Sequence, residues 1–379
     1  MRHATSAKTP ANAVGGAERA DGAKELHPPA WAGETGWEAD VVLSTRARLA
    51  RNLTGVPFPG RAEDAGLKAV AKQVLAVAKR RDKGHVGLRP VEIARLPEAN
   101  RAALVDSHLI SVPHALSGPH RWALVDDRHT ISVMVNEEDH LRLQAILPGL
   151  QLEAAWRIAD QMDDQFGAHL EYAFDAHYGY LTSSLSNCGT GLRVSVMVHL
   201  PGLALSGKLD GALEAARTLG AAVRGPYGEG SESAGDVYQV SNAVSTGKNE
   251  RQLLTRLAAT ATLLVTDEQA ARELLWLDRR SYLEEKVAEA RDRLKRAERL
   301  SAGDSMALLS ILRLGALLGL PTGVTPRVFN ELLSSLRIGA QFVSGERAQY
   351  TFYEETRRPA LIRNKIREGA REGSLQFSF

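Results

Sequence analysis

Apolar residues in this chain recur with two different periods, and the change from one to the other divides it. After Asp40, Val41-Val42-Leu43 opens a first strand-like run. Ile131 to Val135 (ISVMV) and Val237 to Val240 read the same way, and Leu192 to Leu200 (LRVSVMVHL) alternates cleanly with the period of a half-buried strand. Between these runs, residues 62–81, 151–166 and 209–222 carry apolar positions at helical spacing, and the Gly-rich stretch 225–235 reads as a loop. From about residue 250 the character changes. Residues 250–300 nearly lack Gly and Pro, residues 304–319 and 326–338 continue in helical period, and 354–371 predict a basic helix. The pattern predicts an α+β unit over 39–271 followed by an all-helical domain over 272–379. Residues 1–38 are rich in Ala, Gly and Pro without periodicity and are expected to form a disordered tail. Leu274, Leu275 and Leu277 suit either a core or a dimer surface, and core is the default assignment.

Composition narrows the function classes. Lys and Arg total 47 against 45 Asp and Glu, a net charge of +2 that argues against a direct nucleic-acid binder or a membrane-surface binder. A single cysteine, Cys188, rules out an intrachain disulfide and suits a reducing, cytoplasmic setting. No apolar run approaches the roughly 18 residues of a membrane span, and no secretory h-region follows the first charges. Ser245 to Asn249 (STGKN) resembles the end of a phosphate-binding loop. It fails because Asn242 and Asn249 stand where Gly and Ser/Thr belong. Gly228-Glu229-Gly230 lacks the third glycine of a dinucleotide fingerprint, and no paired Cys or H-E-x-x-H supports a protein-built metal site.

Four segments end apolar runs with charge. They are Ser44-Thr45-Arg46-Ala47-Arg48, with Arg51 following; Asn136 to Arg142 (NEEDHLR); Asn187 to Arg193 (NCGTGLR); and Arg224 to Glu229 (RGPYGE). In an extended chain Arg46 and Arg48 point the same way. Singly, each segment has an ordinary explanation as a solvated strand face, a helix cap or a tight turn. Together they supply several guanidinium forks, two Gly-rich loops and separated carboxylates. Phosphoryl transfer to a cationic acceptor needs that combination.

These strings (STRAR-x-x-RN, VNEEDHLR, SN-x-GTGLR and RGPYGEGSE) resemble the phosphagen (guanidino) kinase family, and within it the bacterial enzymes that phosphorylate protein arginine. The resemblance is strong from Asp40 to Leu264 and continues through Asp304 to Leu320 and Ala360 to Arg363. It implies an antiparallel sheet flanked by helices, of glutamine-synthetase-like type, and ATP with Mg²⁺ as the phosphoryl donor. It assigns nucleotide contacts to Ser44, Thr45, Arg46, Ala47 and Arg48, to His108 and Arg142, to Arg193 with Val194, Ser195, Val196 and Met197, and to Arg224, Gly225, Pro226, Tyr227, Gly228 and Glu229. The acceptor-binding, catalytic carboxylates map to Glu138 and Glu229, with Glu137 assisting electrostatically. The family's reactive cysteine is replaced by Ser184, and Cys188 lies four residues later. In the C-terminal phosphoarginine pocket of these enzymes, the matching stretch is Glu354, Glu355, Thr356, Arg357, Arg358 and Pro359. Glu354 replaces an arginine and would repel a phosphate, which argues against a working pocket.

The expected activity is ATP-dependent phosphorylation of arginine side chains in proteins. Only 43 residues precede Ser44, too few for the helical domain that encloses a free metabolite, so the acceptor side is expected to be open. A kinase of a free guanidino compound such as arginine is the first alternative, and a nucleotide-binding pseudokinase or adaptor the second. The resemblance further implies protein substrates with exposed arginine, a stress-response role beside a Clp-type protease, an activator protein and a homodimer.

Overall fold

The computed structural model describes residues 29–80, 86–116, 118–225, 235–336 and 347–376. Among the described residues the strands are β1 (Val42–Arg51), β2 (Arg89–Glu92), β3 (Trp122–Val125), β4 (Ile131–Val135), β5 (Leu141–Pro148), β6 (Phe174–Asp175), β7 (Gly179–Tyr180), β8 (Leu192–His199), β9 (Ala221–Arg224) and β10 (Val237–Asn242). The helices in chain order are α1 (Ala30–Gly33), α2 (Asp64–Ala78), α3 (Glu98–Asp106), α4 (Val112–Ala115), α5 (Leu152–Gly167), α6 (Pro201–Leu205), α7 (Leu209–Thr218), α8 (Glu250–Asp278), α9 (Arg280–Arg296), α10 (Ala302–Leu317) and α11 (Pro326–Ser335), followed by a C-terminal helix, Arg347–Gln376. Eight strands form one sheet in the order β2-β3-β4-β5-β1-β8-β10-β9, and every pairing is antiparallel. The fold is the expected antiparallel sheet flanked by helices, with a helical C-terminal region.

The two faces of the sheet differ because side chains alternate along each strand. On one face Ala47, Leu49, Leu143, Ala145, Val194 and Val196 are fully or almost fully buried. They form one core with the apolar sides of α2, α5, α7 and α8. The opposite face carries Ser44, Arg46 and Arg48 of β1. The register sets Arg46 opposite Ile146 and Ser195, and Arg48 opposite Gln144 and Arg193. Central β1, with neighbours on both sides, thereby fixes the spacing of the arginines.

The N-terminal reading needs correction. Residues 29–38 belong to the fold. Trp31 in α1 is fully buried, its indole Nε1 donates to the Ser107 carbonyl at 3.2 Å, and it packs with Leu43, Ile146 and Met197 from the sheet. A four-residue helix carries no period to read, and its burial depends on partners far away in sequence. The cluster around Trp31 also contains Leu309, Leu312, Phe329 and Ile362, so the helical region shares a core with the sheet. Residue 272, the expected boundary, falls inside α8, which starts with a capping box between Asn249 and Gln252 and runs unbroken through it. Leu275 is buried as expected, but Leu274 and Leu277 are exposed, the latter by 70%. The expected helix over 209–222 stops at Thr218, and Ala221–Arg224 is strand β9.

The C-terminal helix contains Pro359. Proline cannot donate to the carbonyl four residues earlier. That carbonyl, of Glu355, accepts instead from the Leu300 backbone N–H at 2.9 Å, so the interruption ties the helix to the segment after α9.

Candidate functional site

Four arginines converge on the polar sheet face: Arg46 and Arg48 from β1, Arg142 from β5 and Arg193 from β8. Arg224 at the end of β9 lies opposite Gln239 of β10 on the same side. The guanidinium groups of Arg46 and Arg48 have no hydrogen bond or ion pair among the described residues, and their Nε atoms are buried without a partner. Burial first, and then Arg193 and Arg142, pull the Arg46 guanidinium down to about 9. Arg48 is likewise lowered, well below the usual guanidinium range, by burial, Arg46, Arg193 and Arg142, with Glu137 opposing. Like charges gathered at low dielectric cost stability. A ligand carrying several negative charges would remove that cost.

Beside the cradle, Ser44, Arg46, His108, Ile146, Ser195, Met197 and Gln239 line a small recess. His108 takes a left-handed backbone conformation, φ +57°, and its carbonyl accepts from Gln144 Nε2 at 2.7 Å. Its ring lies 5.5 Å from that of Trp31. Burial and the neighbouring Arg46 and Arg48 lower its imidazole to about 3, so the ring is neutral at physiological pH and suits contact with an uncharged group.

The carboxylates occupy the β4–β5 turn. Asn136, at φ +59°, starts that turn, and its side-chain amide donates to the carbonyls of Leu67 and His120. Glu137 is buried: Arg142 Nη1 lies 2.9 Å from one carboxylate oxygen, and Ser111 Oγ donates to the other at 2.6 Å. Arg142 and that hydroxyl hold Glu137 below the usual carboxylate range against an opposing burial effect. Glu138 is 45% exposed and takes the other end of Arg142, at 2.9 Å.

Asp139 is fully buried, and its Oδ1 accepts from Asn52 Nδ2 and from the Ser183 backbone N–H, each at 2.7 Å. Ser183 Oγ in turn donates to the Glu138 carbonyl at 2.7 Å. The turn is thus pinned to the end of β1 and to the 181–189 loop. His140 Nδ1 accepts from the Leu53 N–H, which leaves Nε2 to carry the proton toward the Pro57 carbonyl. Sequence reasoning missed Ser111, Asn52 and Ser183 as contributors, because nothing local marks a serine or asparagine that bonds across the fold.

Some residues assigned to the nucleotide turn away from the cradle. Ala47, Val194 and Val196 point into the apolar core on the opposite face, as the period of two requires. Thr45 is buried there too; its hydroxyl donates to the Gly149 carbonyl at 2.6 Å and accepts from the Gln151 N–H. Ser195 and Met197 face the recess. Arg51 also turns away and pairs with Asp163 at 2.6 Å, its guanidinium 3.5 Å from the Tyr180 ring centroid. Gly225 is buried just after β9, whereas Pro226, Tyr227, Gly228 and Glu229 lie outside the described residues. Ser184 Oγ is 2.9 Å from Ser186 Oγ, and half-buried Cys188 contacts the Thr182 hydroxyl at 3.3 Å.

In the C-terminal helix, Glu354 is fully buried and pairs with Arg357, while Glu355 pairs with Arg299 at 2.6 Å. Arg358 is buried and donates to the carbonyls of Leu336 and Leu300. Arg363 donates to the Leu294 and Ala297 carbonyls at the end of α9. Arg358 thus binds the C-terminal end of α11 and Arg363 that of α9, where cationic side chains are favoured.

A cationic cradle with adjoining carboxylates, on an antiparallel sheet of this order, defines a guanidino phosphotransferase. Residues 69–271 match the family model of the ATP:guanido phosphotransferase C-terminal catalytic domain, and the chain belongs to that family. Over most of its length it is similar to protein-arginine kinases. It is 42% identical to that of Halothermothrix orenii over 314 residues, covering 81% of this chain and 87% of the relative. It is 40% identical to that of Pelotomaculum thermopropionicum over 339 residues, covering 89% and 95%. Among solved structures, lombricine kinase matches with a TM-score of 0.53 at 25% identity, over 63% of this chain and 68% of that one. The duplicated taurocyamine kinase from Schistosoma mansoni, with bound transition-state analogue components, shares the fold at a TM-score of 0.55 and 24% identity, over 61% and 33%. The protein is therefore an enzyme, a kinase that uses ATP.

Proposed function

We propose that the chain transfers the γ-phosphoryl group of ATP to the guanidinium of arginine side chains in proteins. The observation that carries this reading is the shared Arg142, which joins the arginine-bearing sheet face to two glutamates of unequal exposure. In the proposed complex Arg46, Arg48, Arg142, Arg193 and Arg224 hold the nucleotide phosphates, and His108 lies by the base. Among the described residues no group of three His, Cys, Asp or Glu side chains could cage a metal. Mg²⁺ would arrive on the phosphates, as is usual for this ion, and share their charge.

A guanidinium has a pKa above 12 and is no nucleophile while fully protonated. Glu138 and Glu229 would grip it, orient one nitrogen and accept its proton as that nitrogen bonds to the γ-phosphorus and the bond to the ADP oxygen breaks. Alignment of this kind is worth up to about 7–11 kcal/mol. The exposure of Glu138 supports an acceptor presented on another macromolecule. No described helix is long and apolar enough to cross a membrane. A cytoplasmic setting, a stress-linked Clp-type protease partner, an activator protein and a homodimer belong to the same proposal. Exposed Leu274 and Leu277 on α8 support the dimer.

Labelled ATP–Mg²⁺, offered with an unfolded protein such as casein or with free arginine at equal guanidinium concentration, tests the reading. Label should enter the protein faster. Efficient labelling of free arginine with none in protein would replace this proposal with the free-metabolite kinase.

A second expectation concerns the C-terminal helix. Arg358 already serves backbone carbonyls, and Glu354 is buried beside it. Free phosphoarginine should bind the full chain weakly and leave its activity unchanged. Calorimetric titration checks this, and tight binding abolished by Arg358→Ala would overturn it.

A further inference from the structure

Arg142 is held between two carboxylates that differ in how firmly they are fixed. Glu138 is exposed, and its pair with Arg142 is of the kind that contributes little and exchanges readily. Glu137 is buried, and its far oxygen accepts from Ser111 Oγ at 2.6 Å, with the Glu138 backbone N–H and His114 also acting on the carboxylate. Ser111 is itself immobilised. Its hydroxyl accepts from the His114 N–H at the start of α4, and its own N–H contacts Met134 Sδ at 3.3 Å. A continuous line therefore runs from the start of α4 through Ser111 and Glu137 to the guanidinium of Arg142.

We infer that Ser111 is a positioning residue which, through Glu137, keeps Arg142 aimed at the phosphates so that Glu138 stays available to the acceptor. Without the Ser111 bond the Glu137 carboxylate keeps the Glu138 backbone N–H but loses its only hydroxyl donor, and its terminal torsion, which is broad, can turn. Arg142 then moves toward Glu138 and occupies, with its own guanidinium, the carboxylate that the acceptor guanidinium must reach. The inference rests on the functional reading above, because it takes the acceptor to be a guanidinium and Arg142 to serve phosphate.

The test is a double-mutant cycle between Ser111→Ala and Glu137→Gln, read as steady-state kinetics and as ATP affinity by calorimetry. Ser111→Ala should raise KM for the protein acceptor and lower kcat/KM about tenfold, the size of one hydrogen bond to a charged group. Ser111→Thr, which keeps the hydroxyl, should restore most of it. Ser111→Gly, which preserves a helix start at little cost, should behave like Ala. In the Glu137→Gln background Ser111→Ala should add almost nothing. An equal penalty in both backgrounds would show that Ser111 acts through α4 alone, and an unchanged kcat/KM would show that it does not act on the site; either result overturns the inference. If the wild-type chain labels no protein, the functional reading fails. The ATP-affinity cycle then still decides, with a non-additive loss supporting the Ser111–Glu137–Arg142 line and an additive one refuting it.

Discussion

Glu138→Gln should lower turnover by about 10²–10⁴-fold, the range of a lost general base, while ATP affinity is retained or improves. The asymmetry follows from the shared Arg142. Glu138 competes for one end of that guanidinium at 2.9 Å, and a neutral glutamine competes less, so Arg142 becomes freer to meet phosphate. The acceptor side loses on both counts: the amide cannot take a proton from the attacking nitrogen, and it no longer offsets the acceptor's charge. Single-turnover rates with calorimetry separate the two effects. A fall in ATP affinity as large as that of Arg193→Ala would contradict the division of labour between carboxylates and arginines.

Arg48→Met should move stability and binding in opposite directions. In the free protein Arg48 faces Arg46, Arg193 and Arg142 with no ion pair among the described residues, and burial with those neighbours lowers it well below the usual guanidinium range. Removing the charge relieves repulsion and desolvation together, while the methionine keeps the packing along β1, so the melting temperature should rise. ATP binding should weaken about 10- to 150-fold, the equivalent of about 1.5–3 kcal/mol for a hydrogen bond between charged groups. Melting curves with and without ATP–Mg²⁺ read both effects in one experiment. A variant that melts lower and still binds ATP normally would show that Arg48 supports the sheet rather than the ligand.

Much of the site was visible in the sequence because it is written in alternation. Ser44, Arg46 and Arg48 are two apart, and so are Arg193, Ser195 and Met197, and the structure sets both series on one face. The same rule explains why contiguous strings overreach. Reading Val194 and Val196 as part of a nucleotide site ignores that every second residue turns into the core. The sheet and the long helices were legible from period. Trp31 was not, since it sits among Pro and Gly in a segment with nothing to repeat, and its burial comes from α11 and the His108 loop. Leu274 and Leu277 misled in the other direction: a run of leucines on a long helix signals burial of one side, and these two occupy the other. Ser111, Asn52 and Ser183 stayed hidden for a third reason. Each reaches the site through hydrogen bonding to a residue at least 26 positions away, a relation that no local pattern encodes.

The chemical nature of the protein-bound label is the most direct test of the central claim. A phosphoryl group on an arginine nitrogen is a phosphoramidate, which hydrolyses when protonated, whereas an ester on serine, threonine or tyrosine withstands brief acid. After reaction with labelled ATP–Mg²⁺ and casein, the label should be lost from the protein in mild acid, persist in mild base, and be absent when Glu138→Gln replaces the wild-type chain. Acid-stable label in the protein, or label confined to free arginine, would contradict the account.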